Sequence, residues 1–524
     1  MNHHTIDALP LRARQQEPNP NMADLPSEIL HAICRHLCLH CQYEHVVLAG
    51  PDLLPPAFAD QKALARLSQC SRRMRDIAQP VLFHWYHGGD GEAGNGETGK
   101  SGAKAELRRL VRFLRAITRH PRLAASTQAL ALYGRDRDHP YTRVPDPEGS
   151  FGRAFEAAGG YLLRLRRYNG EERMFLEQLQ ELAIASTPAL SQLCLRRDAI
   201  GGSSVWDSWT HEMPNLKYLA FPGNRSGNAE NTYELKAASS LLRCLPNLDT
   251  LIAPDCWGGE SVWARARFLD QPWDIMLPNL TKLSLNDVSV ERLRPILEIC
   301  PRLEDLEYFD DHRLYGLPSL EQYFGPLRAT LRRLCYSVLP AELPDTDDEE
   351  DDEADEDVEV QSAEATMLFL HEEVTWNLDF STFPVLEQLE LEQLLLYGLV
   401  FPTDEDPRED RSSQLTTPSQ LFCRVPPSLR RLRIGYITYW PTIYRDLLAL
   451  AEEPTRLVPR LQAVTLEVFK APPEHQHRHL AERLRSALGA TLLVCYVAKS
   501  RMSRGLLPVR PGQPSLVYES VLVS

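Results

Sequence analysis

One phrase, Pro-x-Leu-x-x-Leu-x-apolar, recurs from residue 188 to residue 466 and limits what this chain can fold into more than any other feature. It reads Pro188-Leu190-Leu193-Leu195, Pro214-Leu216-Leu219-Phe221, Pro246-Leu248-Leu251-Ala253 and Pro278-Leu280-Leu283-Leu285. It continues as Pro301-Leu303-Leu306-Tyr308, Pro384-Leu386-Leu389-Leu391, Pro427-Leu429-Leu432-Ile434 and Pro459-Leu461-Val464-Leu466. A ninth copy, Leu331-Leu334-Tyr336, carries Ala329 in place of the proline. The lead leucines lie 26, 32, 32, 23, 28, 55, 43 and 32 residues apart. Periods of this size belong to stacked supersecondary units, not to a globule with one centre. The expected body is a solenoid.

Each residue type in the phrase has a physical role. The closing Leu-x-Leu alternates apolar with polar, which puts both leucines on one face of a short strand. Proline cannot continue a helix and biases its predecessor towards extended geometry, so it marks a helix-to-strand corner. Segments of helical period precede several copies: Phe175, Leu176, Leu179 and Leu182 before the first, and Leu293, Ile296, Leu297 and Cys300 before Pro301. One helix and one strand per unit is the leucine-rich-repeat arrangement, an α/β fold with a parallel sheet on one face and helices on the other. Unrelated strands of one large α/β domain are the competing reading.

Composition sets further bounds. Hydrophobic content of 43% and charged content of 25% are those of a soluble, folded chain. No apolar run approaches the roughly 18 residues of a membrane span, and the N-terminus shows no signal-peptide core. Eleven scattered cysteines suit a reducing compartment. The expected location is cytoplasmic, nuclear or both. The formal charge of -15 is mostly local, because eleven of the thirteen residues from Asp345 to Asp357 are acidic, leaving -15 + 11 = -4 elsewhere. Such a run self-repels and is expected to be a disordered, solvated loop or a tail for a basic partner. It falls in the 55-residue gap between repeat copies.

The chain divides accordingly. Residues 1–22 read as a disordered N-terminus, 23–87 as a small helical domain, and 88–105 as a Gly-rich linker. Residues 106–500 read as the irregular solenoid, with an acidic insertion at 342–363 and a polar loop at 403–419, and 501–524 as a tail. Leu130-Ala131-Leu132 is expected to open the sheet. Leu480, Leu484 and Leu488 predict a last helix stopped by Gly489, with a strand from Thr491 to Val497.

In the helical block, Leu25-Pro26 opens a helix with proline near its first position, where the missing N–H costs nothing. Ile29, Leu30, Ile33 and Leu37 form an apolar stripe. Leu64, Leu67, Met74 and Ile77 predict a second amphipathic helix studded with Arg72, Arg73 and Arg75, ended by Pro80. Val81, Leu82, Phe83 and Trp85 predict a third apolar element. A piece of about 60 residues is marginal alone, and surplus apolar surface of this kind docks on a partner.

This pattern resembles the F-box family. Leu25-Pro26-Ser27-Glu28-Ile29-Leu30 is similar to the family's opening Leu-Pro-x-Glu-Ile-Leu, and Leu67-Ser68-Gln69-Cys70-Ser71-Arg72-Arg73-Met74 to its second half, continued by Ile77-Ala78-x-Pro80-x-Leu82-Phe83. An F-box followed by leucine-rich repeats is a known architecture, and fungal members have irregular repeats like these. The departure is the connection between Leu37 and Leu64, which encloses 26 residues and reads as a looped-out insertion over 38–63. The resemblance implies a non-catalytic substrate receptor of a cullin–RING (SCF-type) ubiquitin ligase. Its F-box would bind the Skp-type adaptor and its repeats a protein substrate whose identity is unknown. Leu25, Pro26, Ile29, Leu30, Ile33, Leu64 and Leu67 are the candidate adaptor-binding residues, some of which must instead hold the helices together. Specificity of the concave face would depend on strand residues such as Gln192, Lys217, Lys282 and Asp305, and nothing in them names a ligand, so the substrate-binding residues are unknown. A non-ligase interaction scaffold is the alternative.

Four other signals look like chemistry. Gly94-Asn95-Gly96-Glu97-Thr98-Gly99-Lys100-Ser101 matches a phosphate-binding loop, in which backbone amides cradle phosphates, the lysine reaches the terminal ones and the serine holds magnesium. Gly88 to Ala93 separates it from any preceding strand, so a glycine-rich linker is the favoured reading and a nucleotide-binding enzyme the remote one. His31, Cys34, Cys38, Cys41 and His45 are residues that zinc favours. Cys34, Cys38 and Cys41 at i, i+4 and i+7 read instead as small apolar residues on one helix face. His475, His477 and His479 read as a solvated helix face. Arg108, Arg109, Arg112, Arg115 and Arg119 read likewise, without the interleaved aromatics of a nucleic-acid surface. No catalytic residue, cofactor or metal is expected, and neither membrane nor nucleic acid is an expected partner.

Overall fold

A computed structural model describes residues 25–42, 55–88, 100–133, 143–145, 173–196, 211–221, 238–253, 275–286, 290–310, 324–338, 379–393, 396, 425–437, 440–452, 458–468, 474–496 and 521–522. The acidic run, the 403–419 loop, the N-terminal 22 residues and His45 lie outside these. The chain begins with four helices, α1 (Ser27–His36), α2 (Leu39–Gln42), α3 (Pro55–Cys70) and α4 (Arg72–Leu82), followed directly by the first strand, β1 (Trp85–His87). Two helices come next, α5 (Lys100–Arg119) and α6 (Pro121–Ser126), and then β2 (Ala129–Tyr133). β3 (Arg143–Pro145) and β4 (Arg173–Phe175) form a separate antiparallel pair.

From there the chain lays strands down in order. They are β5 (Gln192–Arg196), β6 (Tyr218–Ala220), β7 (Thr250–Ala253), β8 (Lys282–Asn286), β9 (Asp305–Asp310), β10 (Arg333–Val338), β11 (Gln388–Glu392), β12 (Arg431–Ile437), β13 (Ala463–Val468) and β14 (Thr491–Tyr496). With β1 and β2 these make an α/β structure around a parallel sheet of twelve strands in which each strand pairs only with its neighbours in this order. The sheet therefore advances in one direction. Between strands lie α7 (Leu176–Ala185), α8 (Ser239–Arg243), α9 (Val290–Glu298), a 3-10 turn (Gly325–Leu327), α10 (Trp440–Glu452) and α11 (Glu474–Leu488).

The repeated phrase explains this order. Its two strand leucines fall into rows across the sheet: Leu193, Leu219, Leu251, Leu283, Leu306, Leu334, Leu389, Leu432, Val464 and Leu492 are all in register. Every one is buried in a single core with Leu114 of α5, Leu182 of α7, Leu242 of α8, Leu297 of α9, Leu447 of α10 and Leu484 of α11. At about 1.5–3 kcal/mol for each buried leucine-class side chain, the rows are the main force that stacks one unit on the next.

The residue before each strand adds a rung of main-chain hydrogen bonds. Gln128 N donates to His84 O (2.9 Å), Ser191 N to Gln128 O (2.8 Å), Lys217 N to Ser191 O (2.9 Å) and Asp249 N to Lys217 O (2.8 Å). The series runs on through Thr281, Glu304, Arg332, Glu387 and Arg430 to Gln462, whose carbonyl accepts from Thr491 N at 2.9 Å. At the proline corner, Asn215, Asn247 and Asn279 each donate Nδ2 to the proline carbonyl one unit back, at 2.8, 2.8 and 2.9 Å. No helix of the described residues is long and apolar enough to cross a membrane.

Several expectations are corrected. The second amphipathic segment is two helices, because Ser71 caps α4 by accepting a hydrogen bond from Met74 N at 3.1 Å. Pro80 lies inside the last turn of α4, which continues to Leu82, and Trp85 belongs to β1 instead of a third apolar element of the block. The 38–63 connection contains α2 and the first part of α3. The linker ends early, since α5 starts at Lys100 in a run rich in Ala, Lys and Glu, all good helix formers. Phe175 closes β4 and precedes the helix. Gly489, at φ 65°, stops α11 as expected, but the tail returns as β15 (Val521–Leu522), antiparallel to β14.

Candidate functional site

Two surfaces hold the residues on which a function can rest. The first is the outer edge of the helical block. The inner one is a small core of its own, with Cys34, Cys38, Leu64, Ala78 and Val81 buried and Leu37, Cys41, Leu67, Ile77 and Leu82 packed against them. The α1 stripe splits on this core. Leu30 and Cys34, one turn apart, are fully buried, whereas Ile29 is 49% exposed and Ile33 half-buried. Pro26, Ile29 and Ile33, at i, i+3 and i+7, share the outward face. Leu25 is half-buried beside them, with Arg73 donating to its carbonyl at 2.7 Å and to Ser27 Oγ at 3.2 Å. Of the seven candidate adaptor residues, Leu25, Pro26, Ile29 and Ile33 thus line one edge, while Leu30 is fully buried, Leu64 belongs to the helical core and Leu67 packs on that core. Arg73, which pins the Leu-Pro opening from 48 residues away in sequence, carried no signal in the motif beyond its charge.

The second surface is the sheet face opposite the leucine rows. In its C-terminal half a chain of ion pairs crosses the strands. Lys282 meets Asp305 at 3.2 Å, and Arg333 meets Asp305 at 3.0 Å, Glu307 at 2.6 Å and Glu390 at 3.0 Å. Arg433 meets Glu390 at 3.1 Å and also pairs with Glu467. Burial works against the Arg333 cation, but Glu307, Glu390 and Asp305 outweigh it, so its guanidinium is held more firmly protonated than usual. Ser337 donates to Glu392 on the same face. Lys282 and Asp305 therefore lie side by side on this face, and Gln192 occupies the same row at the other end of the sheet. Lys217 does not: it precedes β6 and belongs to the hydrogen-bonded rung at the sheet's rim.

A third cluster joins the two regions. Cys38, His40, Cys41 and His84 bring one ligand atom each to within 4.8 Å of one another. His84 Nδ1 lies 3.4 Å from Cys41 Sγ and 4.0 Å from Cys38 Sγ. Burial, followed by the charges of His40, His31 and Arg35, pushes the His84 imidazole down to about 4. His40 is lowered by burial and Arg35, and burial holds the Cys38 thiol well above its ordinary value. Among the other metal candidates, His31 is exposed and Cys34 lies in the helical core. Cys34 and Cys38 are buried in the helical core with Cys41 packed against it, as small apolar residues would be, but they do not share one helix face, because α1 ends at His36, so Cys38 lies beyond it and Cys41 on α2.

The remaining signals separate. Lys100 and Ser101 begin α5, and β1 ends seven residues before Gly94, while Gly94 to Gly99 lie outside the described residues. Arg108, Arg112, Arg115 and Arg119 are exposed along one side of α5. His475 and His479 are exposed, but His477 is buried three residues before Leu480, correcting the reading of all three as solvated. The chain matches no protein-family model and no curated protein sequence.

Proposed function

We propose that this chain is the substrate-recognition subunit of a cullin–RING ubiquitin ligase. Its helical block is the F-box that binds the adaptor, and its sheet is a leucine-rich-repeat solenoid that binds a protein substrate. The observation that carries this reading is the outward edge of Pro26, Ile29 and Ile33, on which Pro26 and Ile29 are exposed and Ile33 half-buried. It lies on a block opening Leu-Pro-Ser-Glu-Ile-Leu and running without a break into a one-directional parallel sheet. Ile29 and Met276 are the exposed large hydrophobic side chains among the described residues, and only Ile29 sits in the block. Ubiquitin transfer itself belongs to other subunits, so the chain needs no catalytic group. The half-exposed ion-pair chain favours a polar substrate surface, and its carboxylates outnumber its cations.

The test is capture of the adaptor by the full chain, comparing wild type with Ile29→Glu and Met276→Glu. Losing one buried isoleucine side chain costs about 1.5–3 kcal/mol, so Ile29→Glu is expected to weaken capture by roughly ten- to a hundredfold. Met276→Glu is expected to leave capture unchanged. A wild-type chain that captures no adaptor, or an Ile29→Glu chain that captures it as well as wild type, removes the F-box assignment.

A further inference from the structure

We propose that Cys38, His40, Cys41 and His84 form a structural zinc site that clamps the helical block to the first strand of the sheet. The four residues come from two places in the sequence. Cys38-Leu39-His40-Cys41 supplies a Cys-x-x-Cys spacing at the turn between α1 and α2, and His84 lies 43 residues further on, between α4 and β1. Four donors of the Cys₂His₂ type suit zinc, which prefers four-coordinate tetrahedral geometry with sulfur at about 2.3 Å and nitrogen at about 2.0–2.1 Å. Donors at those radii stand about 3.3–3.8 Å apart at tetrahedral angles, inside the observed spread of 4.8 Å. Four protein ligands leave no open position, so the role is structural rather than catalytic.

The second observation is an orphan. His40 Nδ1 is buried with no hydrogen-bond partner, an unfavourable state for a neutral polar group removed from water. A metal ion in the cluster would give that nitrogen a ligand bond. The cysteines are free, and no carboxylate belongs to the group, which favours zinc over the oxygen-seeking magnesium or calcium.

The location gives the ion a task. His84 O accepts from both Gln128 N and Ala129 N at 2.9 Å, the first rung of the main-chain series that crosses the sheet to Thr491. Cys38 and Cys41 sit just past the end of α1, the helix that carries the Ile29 edge. Zinc bound to both would fix α1 relative to the sheet by bonds instead of by packing alone. The inference stands whether or not the block binds an adaptor.

The experiment measures metal in the purified full-length protein by elemental analysis, then exchanges it for cobalt and records the visible spectrum. The expected results are about one zinc per chain and a tetrahedral cobalt spectrum with thiolate charge-transfer bands. Cys41→Ser and His84→Ala are expected to lower zinc by at least tenfold, whereas Cys70→Ser, at an exposed cysteine outside the cluster, keeps it. The wild-type cobalt spectrum needs no variant to fold. Wild-type protein without stoichiometric zinc and without the thiolate–cobalt bands overturns the site, as does zinc retained by both Cys41→Ser and His84→Ala. Chelation that removes the zinc is expected to lower the melting temperature, and an unchanged melting temperature overturns the clamp.

Discussion

The two halves of the sheet share one backbone plan and differ on the face away from the leucines. From β2 to β7 that face carries Ala131, Cys194, Tyr218 and Ala220, all buried in a second apolar cluster with Ile252 packed against it. From β8 to β13 the corresponding positions are Lys282, Asp305, Glu307, Arg333, Glu390, Arg433 and Glu467. The N-terminal half is mostly buried on both faces, as parallel sheets usually are, with Gln192 and Ile252 half-buried. The C-terminal half keeps one face polar and most of its ion-pairing groups half-exposed. The same leucine rows therefore support two different surfaces, one apolar and buried, the other polar and laced with ion pairs.

The sharpest way to break this contrast is Ala220→Asp. The Ala220 side chain is fully buried, so a carboxylate there would be stranded without a counter-ion. The expected loss is more than about 4 kcal/mol, enough to prevent folding, and is read by chemical denaturation or by the yield of folded protein. A stable Ala220→Asp chain would mean that the N-terminal face is open after all. The next largest effect belongs to Arg333→Ala. It leaves Glu307, whose side chain is 5% exposed, without its guanidinium at 2.6 Å. Breaking a buried pair in this way costs about 3–5 kcal/mol. A loss under about 1 kcal/mol would show the chain of ion pairs to be an exposed one.

The inward half of this architecture was readable because strand alternation has a period of two. Leu-x-Leu alone placed Leu283 with Leu285 and Leu389 with Leu391 on one face. The outward half was not readable, since pairing depends on register between distant units: Arg333 finds Glu390 57 residues away. The same holds for the cysteine–histidine cluster. Cys38 and Cys41 were visible as a pair, but His84 becomes their neighbour only when α4 returns beside α1. In α1 the apolar stripe was visible, yet only the packed core decides that Leu30 turns in and Ile29 turns out. Ser71 was misread because a helix break there rests on one side-chain hydrogen bond inside an otherwise helical run.

The smallest expected effects lie at the proline corners, where Asn247 and Ser428 use different chemistry. In the N-terminal half Asn247 bonds the carbonyl of Pro214 from an exposed position, at 2.8 Å. At the Pro427 corner of the C-terminal half the next residue is Ser428, whose buried hydroxyl donates to Leu386 O, also at 2.8 Å. Removing an exposed donor leaves the carbonyl free to take water, so Asn247→Ala is expected to cost about 0.5 kcal/mol. Removing Ser428 Oγ strands a carbonyl where water is excluded, so Ser428→Ala is expected to cost about 1–2 kcal/mol. Denaturation midpoints of the two variants measured side by side decide the matter. If Asn247→Ala proves the more damaging, the asparagine series carries tension along the N-terminal units that single hydrogen bonds do not account for. The two halves would then differ in how they are held together as well as in what they display.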